Sequence, residues 1–427
     1  EIASCLVGSE MCIRDRYIVI GAGISGLSIA QLLKDRNEVV VVEKDSRSGG
    51  MIKCDRVNGS LFHRTGGHVF NTKRQDVLKW FWRYFNKKIE FTKALRNSVI
   101  HLSDDNVIPY PIEDHVYLLN ESIVKAVIED MLSIAKRRDY IPENFEEFLA
   151  GKFGKTLYQI YFEPYNYKVW RRDLSKIPLS WLDGKLPMPT VQEIMYNNIY
   201  RIEERSFVHS SFFYPKNNGS QFLADRLAEN LDIIYNTTVE KIEKKTDGWY
   251  VNGIKCDRIV FCGNIKQLPS LVGDHIDFSF FEQQIEKLEF HGTTSVFCEV
   301  EQNPFSWIYL PNKMYEAHRI ICTGNFADSN RTCNKMTATI EFTDYISKED
   351  IMDNLKKVPY SPHYLTHHYE KFTYPIQQAS TRNMITSLKE ILETQGIYLL
   401  GRFAEWEYYN MDAAMGAALD LNKRINK

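Results

Sequence analysis

The chain lacks the features that mark membrane-spanning and nucleic-acid-binding proteins. Outside its glycine-interrupted first βα unit, the 427 residues contain no run of about 18 apolar residues, so we expect no membrane-spanning helix and no stable membrane insertion. Fifty-three basic residues nearly balance 55 acidic ones. The formal net charge of −2 gives no reason to expect nucleic acid or an anionic membrane as a partner.

The eight cysteines form no recognisable framework. They are scattered without a C-x-x-C pair, which suits reduced thiols, and so we predict a cytoplasmic protein. The nearest candidate for a metal site is "SPHYLTHHYE", in which His363 and His367 have the i, i+4 spacing of a helix. Because no cysteine or organised acid completes that group, we interpret the segment as an exposed polar helix face and predict no metal.

Aromatic residues are abundant, at 13% of the chain. They would supply stacking surfaces for sugars or bases, although an aromatic core is the commoner explanation. The composition is otherwise that of a soluble globular protein, with 44% hydrophobic and 25% charged residues. The length suits two or three domains.

The stretch "YIVIGAGISGLSIAQLL" predicts a strand, a tight turn and a helix. Residues 17–20 are a short β-branched run, and the residues after Gly26 place apolar side chains at a helical period. Gly21, Gly23 and Gly26 fit G-x-G-x-x-G, in which the glycines permit the turn, a close approach to a pyrophosphate, and tight packing of helix on strand. The phosphate would lie at the helix N-terminus, where unpaired N–H groups favour an anion.

A second predicted strand, residues 38–42, completes a βαβ unit and ends at Glu43, twenty positions after Gly23, where a ribose-binding carboxylate is expected. The alternative is a glycine turn without a ligand. A glycine pair follows in "EKDSRSGG", as in flavoproteins of the glutathione-reductase type, and we therefore expect FAD rather than NAD. The predicted FAD-binding residues in this unit are Gly21, Gly23, Ile24, Ser25, Gly26, Glu43, Lys44, Gly49 and Gly50.

Residues 1–16 are interpreted as a foreign extension, because they are too poor in apolar residues for a signal peptide and lack a small-residue cleavage site. The rest predicts an α/β fold: a Rossmann-like FAD-binding domain with an inserted helical lobe and an antiparallel sheet lobe. The FAD-binding domain comprises residues 17–90, 206–274 and 391–427. The helical substrate or lid lobe comprises residues 91–205, and the sheet lobe comprises residues 275–390.

Four stretches together resemble the UDP-galactopyranose mutase family, within the wider amine-oxidase-like FAD proteins. They are the βαβ unit with "EKDSRSGG", the loop "HRTGGHVFNT", the segment "LYQIYFEPYNYKVW", and the tail "GRFAEWEYYNMD". The third is the most specific, since its tyrosine and tryptophan spacing is similar to the family's uridine-binding segment. The likeness covers about half of the chain.

The resemblance implies a role for individual residues. His68, Arg319 and Arg402 would be catalytic, with Gly67 and His68 facing the flavin and both arginines at the substrate diphosphate. In the tail, Arg402, Asn410, Met411 and Asp412 would contact the flavin. The substrate-binding residues implied are Tyr161 and Phe162 around the base, Tyr165 and Asn166 nearby, Trp170 at the sugar end, and Lys185, Tyr374 and Tyr408.

Three positions depart from the family pattern. Lys185, in "DGKLPMP", falls where the family has a mobile-loop arginine, and an ammonium cannot make the bidentate fork of a guanidinium. Asn71 replaces a histidine of the flavin-facing loop, and Tyr161 replaces a phenylalanine on the uridine side.

The implied reaction interconverts UDP-galactopyranose and UDP-galactofuranose, or a close UDP-hexose, for cell-surface polysaccharide synthesis. Reduced FAD would act as the nucleophile without net redox change, which needs neither a catalytic triad nor a metal. The implied partners are a UDP-sugar and an unidentified flavin reductant, and a homodimer is left open. Two alternatives remain: an FAD-dependent oxidoreductase of the amine oxidase or protoporphyrinogen oxidase type, and a flavin-binding scaffold without activity.

Overall fold

Strands form the frame of the structure. The computed structural model describes residues 14–137, 140–179, 189–202, 211–332, 335–378 and 380–426. In chain order the strands are β1 (Arg16–Ile20), β2 (Glu38–Val42), β3 (Cys54–Val57), β4 (Ser60–His63), β5 (Phe91–Leu95), β6 (Ser98–Ser103), β7 (Asn106–Pro109), β8 (Ser211–Pro215), β9 (Asp232–Ile234), β10 (Ile242–Lys245), β11 (Gly248–Val251), β12 (Ile254–Cys256), β13 (Arg258–Phe261), β14 (Glu289–Val300), β15 (Trp307–Tyr309), β16 (Arg319–Ile321), β17 (Met336–Thr343), β18 (His363–Ile376) and β19 (Ile397–Leu399).

Helices cover the sheets and build one lobe of their own. In chain order they are α1 (Ile24–Leu33), α2 (Gln75–Phe81), α3 (Lys87–Glu90), α4 (Glu121–Ala135), α5 (Phe145–Leu157), α6 (Glu163–Trp170), α7 (Val191–Tyr200), α8 (Gln221–Ala228), α9 (Leu268–Val272), α10 (Glu282–Glu286), α11 (Lys348–Leu355), α12 (Thr381–Thr394) and α13 (Met411–Ile425). A π-helical turn, Tyr158–Phe162, joins α5 to α6.

A five-stranded parallel sheet, in the order β19-β13-β1-β2-β9, contains the predicted βαβ unit. β1 and β2 are β-branched runs with almost every side chain buried, as expected of inner strands covered on both faces. The predicted α/β fold class is confirmed. β1 begins at Arg16, one residue earlier than predicted, because that residue pairs with Glu38 on β2.

A seven-stranded sheet, in the order β18-β14-β17-β16-β15-β6-β7, contains the strands predicted between residues 275 and 390. All of its pairs are antiparallel except β15 with β6. The predicted helix face at His363 and His367 is wrong, since both residues lie on the long strand β18. The segment is rich in threonine and aromatic residues, which favour strands, and it pairs along most of its length with β14.

The helical lobe is built from α4, α5, α6 and α7 around one apolar cluster. All four helices lie within residues 91–205, the segment predicted as a helical lobe. The interpretation of residues 91–109 as helical is wrong: β5 pairs with β8, while β6 and β7 extend the seven-stranded sheet. These strands are apolar runs too short for their period to separate strand from helix.

In the part of the chain that the structure describes, no helix is both long and apolar enough to cross a bilayer. The same residues contain no group of three His, Cys, Asp or Glu side chains arranged to hold a metal ion.

Candidate functional site

The glycine turn after β1 brings the chain into very close contact with itself. A Cβ on Gly26 would lie 1.9 Å from the carbonyl oxygen of Gly21, so α1 can begin directly over the turn only with glycine there. The glycine pair predicted for the cofactor meets the same turn, because the Gly49 N–H donates to the Ala22 oxygen at 2.8 Å. The nearest heavy atom to a Cβ on Gly23 would be 3.9 Å away. The surface above Gly23 is therefore open to a ligand.

Glu43 lies beside this turn at the end of β2. Its buried carboxylate accepts hydrogen bonds from the Ala22 N–H at 2.6 Å and the Asp45 N–H at 3.0 Å. The predicted acid thus fixes the backbone of the turn. Lys44, next to it, is exposed.

The C-terminal segment reaches the same region. A Cβ on Gly401 would lie 3.0 Å from the Ser25 hydroxyl oxygen, so the loop after β19 touches the start of α1. Asn410 precedes α13 as its N-cap residue without making a side-chain cap bond, and Met411 and Asp412 form the first turn of that helix.

A cavity of about 170 Å³ lies where this segment meets the seven-stranded sheet. It brings together residues predicted for the site from four distant stretches. The predicted residues that line it are Gly67, His68, Arg319, Tyr374, Arg402, Tyr408, Asn410, Met411 and Asp412. Sequence reasoning missed other lining residues, among them Met51, Arg96, Thr293, Trp307 and Tyr309.

The two ring nitrogens of His68 differ in their hydrogen bonding. One ring nitrogen bonds the Thr65 carbonyl, whereas Nε2 is buried without a partner among the described residues. Burial, reinforced by the positive charge of Arg402, lowers the pKa of His68 to about 4. The neutral ring therefore donates to Thr65 and leaves Nε2 as an acceptor.

His63 holds the backbone of the His68 loop through a hydrogen bond. Sequence reasoning missed this residue, although the stretch "HRTGGH" contains both histidines. The His68 backbone N–H donates to His63 Nδ1 at 3.2 Å, so the proton of the His63 ring is on Nε2, which lies 2.8 Å from Tyr214 Oη. Burial lowers the pKa of His63 to about 3. The ring is neutral and its tautomer is set by the loop.

Arg319 is held by a buried carboxylate. Its Nε donates to Glu341, which is fully buried and also accepts a hydrogen bond from the Gly66 N–H at 2.7 Å. Burial opposes ionisation of Glu341, but Arg319 and His318 outweigh it and keep the pKa of that carboxyl well below its usual range. Arg319 Nη2 donates to Tyr374 Oη at 3.1 Å. Glu341 thus joins the arginine to the loop of His68.

Arg402 is held mainly by backbone carbonyls. Its guanidinium donates to the oxygens of Tyr409 and Thr373, and lies 4.7 Å from the centroid of the Tyr408 ring. The first bond closes the loop on which Arg402 itself lies, so this side chain positions the loop as well as lining the cavity.

Arg96 is a third guanidinium at the cavity. It lies 4.9 Å from the ring of Trp307 and 5.5 Å from the ring of Tyr110, and donates to Tyr309 Oη and to the Ser98 hydroxyl. Its sequence neighbours contain no motif, and only the pairing of β6 with β15 brings it to the site.

The residues predicted around the base do not line the cavity. Tyr161 is buried in the helical lobe, and Phe162 stacks on Phe153 at 4.4 Å. Tyr165 comes nearest, with its ring edge-on to Tyr309 at 5.4 Å. Asn166 donates to the Phe162 carbonyl at 2.8 Å, and the Trp170 carbonyl lies 2.6 Å from His291 Nε2.

Asn71 and Lys185 are two of the positions that depart from the family pattern. Asn71 is turned to the backbone, where its side-chain N–H donates to the Ser211 oxygen at 2.6 Å. Lys185 lies outside the described residues. The roles predicted for Lys185 and for the base-binding residues stay predictions.

Comparison with known proteins finds relatives for the βαβ unit and for nearly the whole chain. Residues 19–85 match the NAD(P)-binding Rossmann-like domain. The chain is 22% identical to the UDP-galactopyranose mutase of Mycoplasma genitalium, with 93% of this chain and 91% of that protein covered. It is also 22% identical to the dTDP-fucopyranose mutase of Escherichia coli, with 95% and 97% covered.

The fold is similar to that of a solved UDP-galactopyranose mutase in its reduced state. The TM-score is 0.86 at 18% identity, and the match covers 96% of this chain and 95% of that one. The resemblance to the UDP-galactopyranose mutase family is confirmed, and it extends over nearly the whole chain.

Proposed function

We propose that this chain is an FAD-dependent mutase that interconverts UDP-galactopyranose and UDP-galactofuranose, or the ring forms of a close UDP-hexose, for cell-surface polysaccharide synthesis. The observation that carries the proposal is the convergence of Arg319, Arg402, Tyr374, Tyr408 and the buried acceptor of His68 on one cavity beside the dinucleotide turn.

The residues present fit FAD. The cradle of glycines after β1 excludes side chains where a pyrophosphate would approach the N-terminus of α1, and Glu43 lies where a ribose would follow. The loop of Gly67 and His68 and the start of α13 would face the flavin ring. When bound, reduced FAD supplies the nucleophile for the anomeric carbon, and an unidentified electron donor would keep it reduced.

The arginines would bind and stabilise the substrate diphosphate. A guanidinium has five N–H donors, and the bonds of Arg319 to Glu341 and Tyr374 use two of them. The remaining donors suit phosphate oxygens, whose charge grows as UDP departs. Glu341 keeps this guanidinium oriented and is not among the residues that line the cavity.

His68 would orient the sugar. Its neutral ring offers Nε2 as an acceptor, so it suits a ligand hydroxyl rather than a carbonyl oxygen. Trp307 and Tyr309 would close the side of the cavity against water, which matters because water competes for the activated anomeric carbon.

The test is turnover by the purified holoenzyme. Dithionite-reduced enzyme is incubated anaerobically with UDP-galactose, and the two ring forms are separated by chromatography, with oxidised enzyme as the matched control. We expect furanose product from the reduced enzyme only, with no change in the mass of the UDP-sugar.

The oxidoreductase alternative makes the opposite prediction. Under air, the oxidised enzyme would release peroxide on an amine or a porphyrinogen. Peroxide formation together with an absence of furanose product would overturn the mutase proposal.

A further inference from the structure

Lys168, on α6, is a buried lysine whose three N–H donors are all used. Nζ donates to the backbone oxygens of Leu310 at 2.7 Å, Asn312 at 2.6 Å and Ala317 at 3.0 Å. The ammonium also lies 4.6 Å from the centroid of the Tyr315 ring. A buried charge is costly unless it is fully hydrogen-bonded, so this geometry marks a specific contact rather than a chance burial.

The three carbonyls belong to the hairpin between β15 and β16. Tyr309 on β15 pairs with Arg319 on β16, and both line the cavity. The bond from the Leu310 N–H to the His318 oxygen, 2.9 Å, follows directly beyond that pair. Lys168 therefore closes the hairpin next to two residues of the site.

The helix that carries Lys168 contacts the same hairpin at a second point. Tyr165 lies one turn earlier on α6, and its ring meets the Tyr309 ring edge-on. Arg319 is in turn held by Glu341 on β17. The hairpin is thus fixed to a helix on one side and to a sheet strand on the other. The ammonium supplies the buried hydrogen bonds to the helix, beside the ring contact of Tyr165 and the ion pair of Arg171 with Glu316.

We propose that Lys168 is a positioning residue that fixes the β15–β16 hairpin on α6 and thereby places Arg319 and Tyr309 for a sugar diphosphate. The assignment of a sugar diphosphate as the ligand rests on the proposed function. The fixing of the hairpin rests on the three carbonyl bonds alone.

The charge of Lys168 responds to the groups around it. Burial and the nearby Arg171 lower the pKa of Lys168 to about 7, whereas Glu316 raises it. The other facing groups are His318, whose pKa is itself lowered chiefly by burial, and the phenol of Tyr315. A neutral amine has two N–H donors, so one of the three carbonyls loses its bond as the pH rises through neutrality.

The first test compares holoenzyme variants. Lys168→Met removes the donors, Lys168→Arg keeps the charge without the three-way donation, and Lys176→Met is a control at an exposed lysine. Hydrogen exchange of residues 309–319, UDP affinity and FAD content are measured. For Lys168→Met we expect at least about tenfold faster hairpin exchange and about tenfold weaker UDP binding, with FAD retained. Lys168→Arg should recover part of both losses.

A second test uses the pH dependence of UDP binding. The wild-type affinity should weaken above an inflection near neutrality. Arg171 and Glu316 form an ion pair at 2.8 Å, so Arg171→Gln leaves Glu316 facing the lysine and should move the inflection up, whereas Glu316→Gln should move it down. A merely structural lysine would give no such shifts. These two variants decide the proposal if Lys168→Met does not fold.

The outcomes separate this proposal from the proposed function. Unchanged hairpin exchange in Lys168→Met, or pH inflections that ignore Arg171 and Glu316, would overturn the role of Lys168. A wild-type holoenzyme that does not bind UDP would contradict the mutase proposal instead, and the hairpin exchange would still decide whether Lys168 fixes the hairpin.

Discussion

The phenol rings of Tyr374 and Tyr408 lie parallel beside the cavity, with centroids 5.5 Å apart and 8° between their planes. One ring comes from β18 and the other from the loop after β19. Tyr374 accepts a hydrogen bond from Arg319, and the guanidinium of Arg402 lies over Tyr408. The stacked pair therefore joins the two arginines into one continuous wall.

Tyr374→Phe should weaken UDP binding without loss of FAD. The variant keeps the stacked ring but removes the oxygen that orients Arg319, and a hydrogen bond of this kind contributes about 1 kcal/mol, or about fivefold in affinity. Calorimetric titration with UDP measures the change, with the exposed Tyr345→Phe as the control. Unaltered affinity would show that Arg319 does not depend on the phenol.

Glu341→Gln should destabilise the fold by about 1–3 kcal/mol, because it removes the charge partner of the partly buried Arg319. Urea unfolding measures the loss, and Glu349→Gln, at an exposed position of α11, is the control. The pKa of Glu341 is lowered in the folded state, so the pair stabilises the fold above the ordinary glutamate pKa of about 4.3 and loses this contribution as the pH falls further. The variant should therefore show a shallower acid limb than the wild type.

The two buried histidines should make the fold less stable in mild acid. Folded His68 and His63 take up protons only near pH 4 and pH 3, whereas unfolded histidine does so near pH 6.5. Their contribution is thus fully present above about pH 6.5 and is lost as the pH falls, by about 1.4 kcal/mol per pH unit for each residue. Urea unfolding from pH 7 to 4.5 measures how the free energy of unfolding changes with pH. His68→Gln should lower this slope by about 1.4 kcal/mol per pH unit, the share of one histidine. His363→Gln, at an exposed site, should leave the slope unchanged.

Two alanine substitutions in the glycine turn should separate cofactor contact from folding. Gly26→Ala places a methyl group against the Gly21 oxygen and should impair folding, whereas Gly23→Ala meets only ordinary contacts within the protein. Gly23→Ala should therefore keep the melting temperature of the apoprotein and lose FAD. A yellow Gly23→Ala protein with normal flavin content would contradict the assignment of this turn to the pyrophosphate.

The βαβ unit could be predicted from sequence because its signals are local. The strand residues, the turn glycines and Glu43 all lie within 27 consecutive positions, 17–43. Strand β18 could not be predicted in this way, because the spacing of His363 and His367 is compatible with a helix. Only the long pairing of this segment with β14 shows that it is a strand.

The cavity was predictable only where family motifs marked it. Glu341 lies in "TATIEF", which predicts a strand but gives no sign that its one acid pairs with Arg319 on the adjacent strand. Arg96 reaches the cavity through pairing of β6 with a strand some 200 residues later. Contacts between distant segments depend on the packing of whole sheets, and a single sequence does not contain that information in local form.

The most direct measurement is a UDP titration of the oxidised holoenzyme followed by the flavin absorbance, for the wild type and Arg319→Lys. Lysine keeps a positive charge beside the buried Glu341 but lacks the donor fork of a guanidinium, and Arg319 lines the cavity. We therefore predict a saturable spectral change in the wild type, at least about tenfold weaker UDP binding in Arg319→Lys, and equal FAD content in both. A wild-type spectrum that does not respond to UDP, or an Arg319→Lys protein that binds UDP normally or has lost its flavin, would contradict the account.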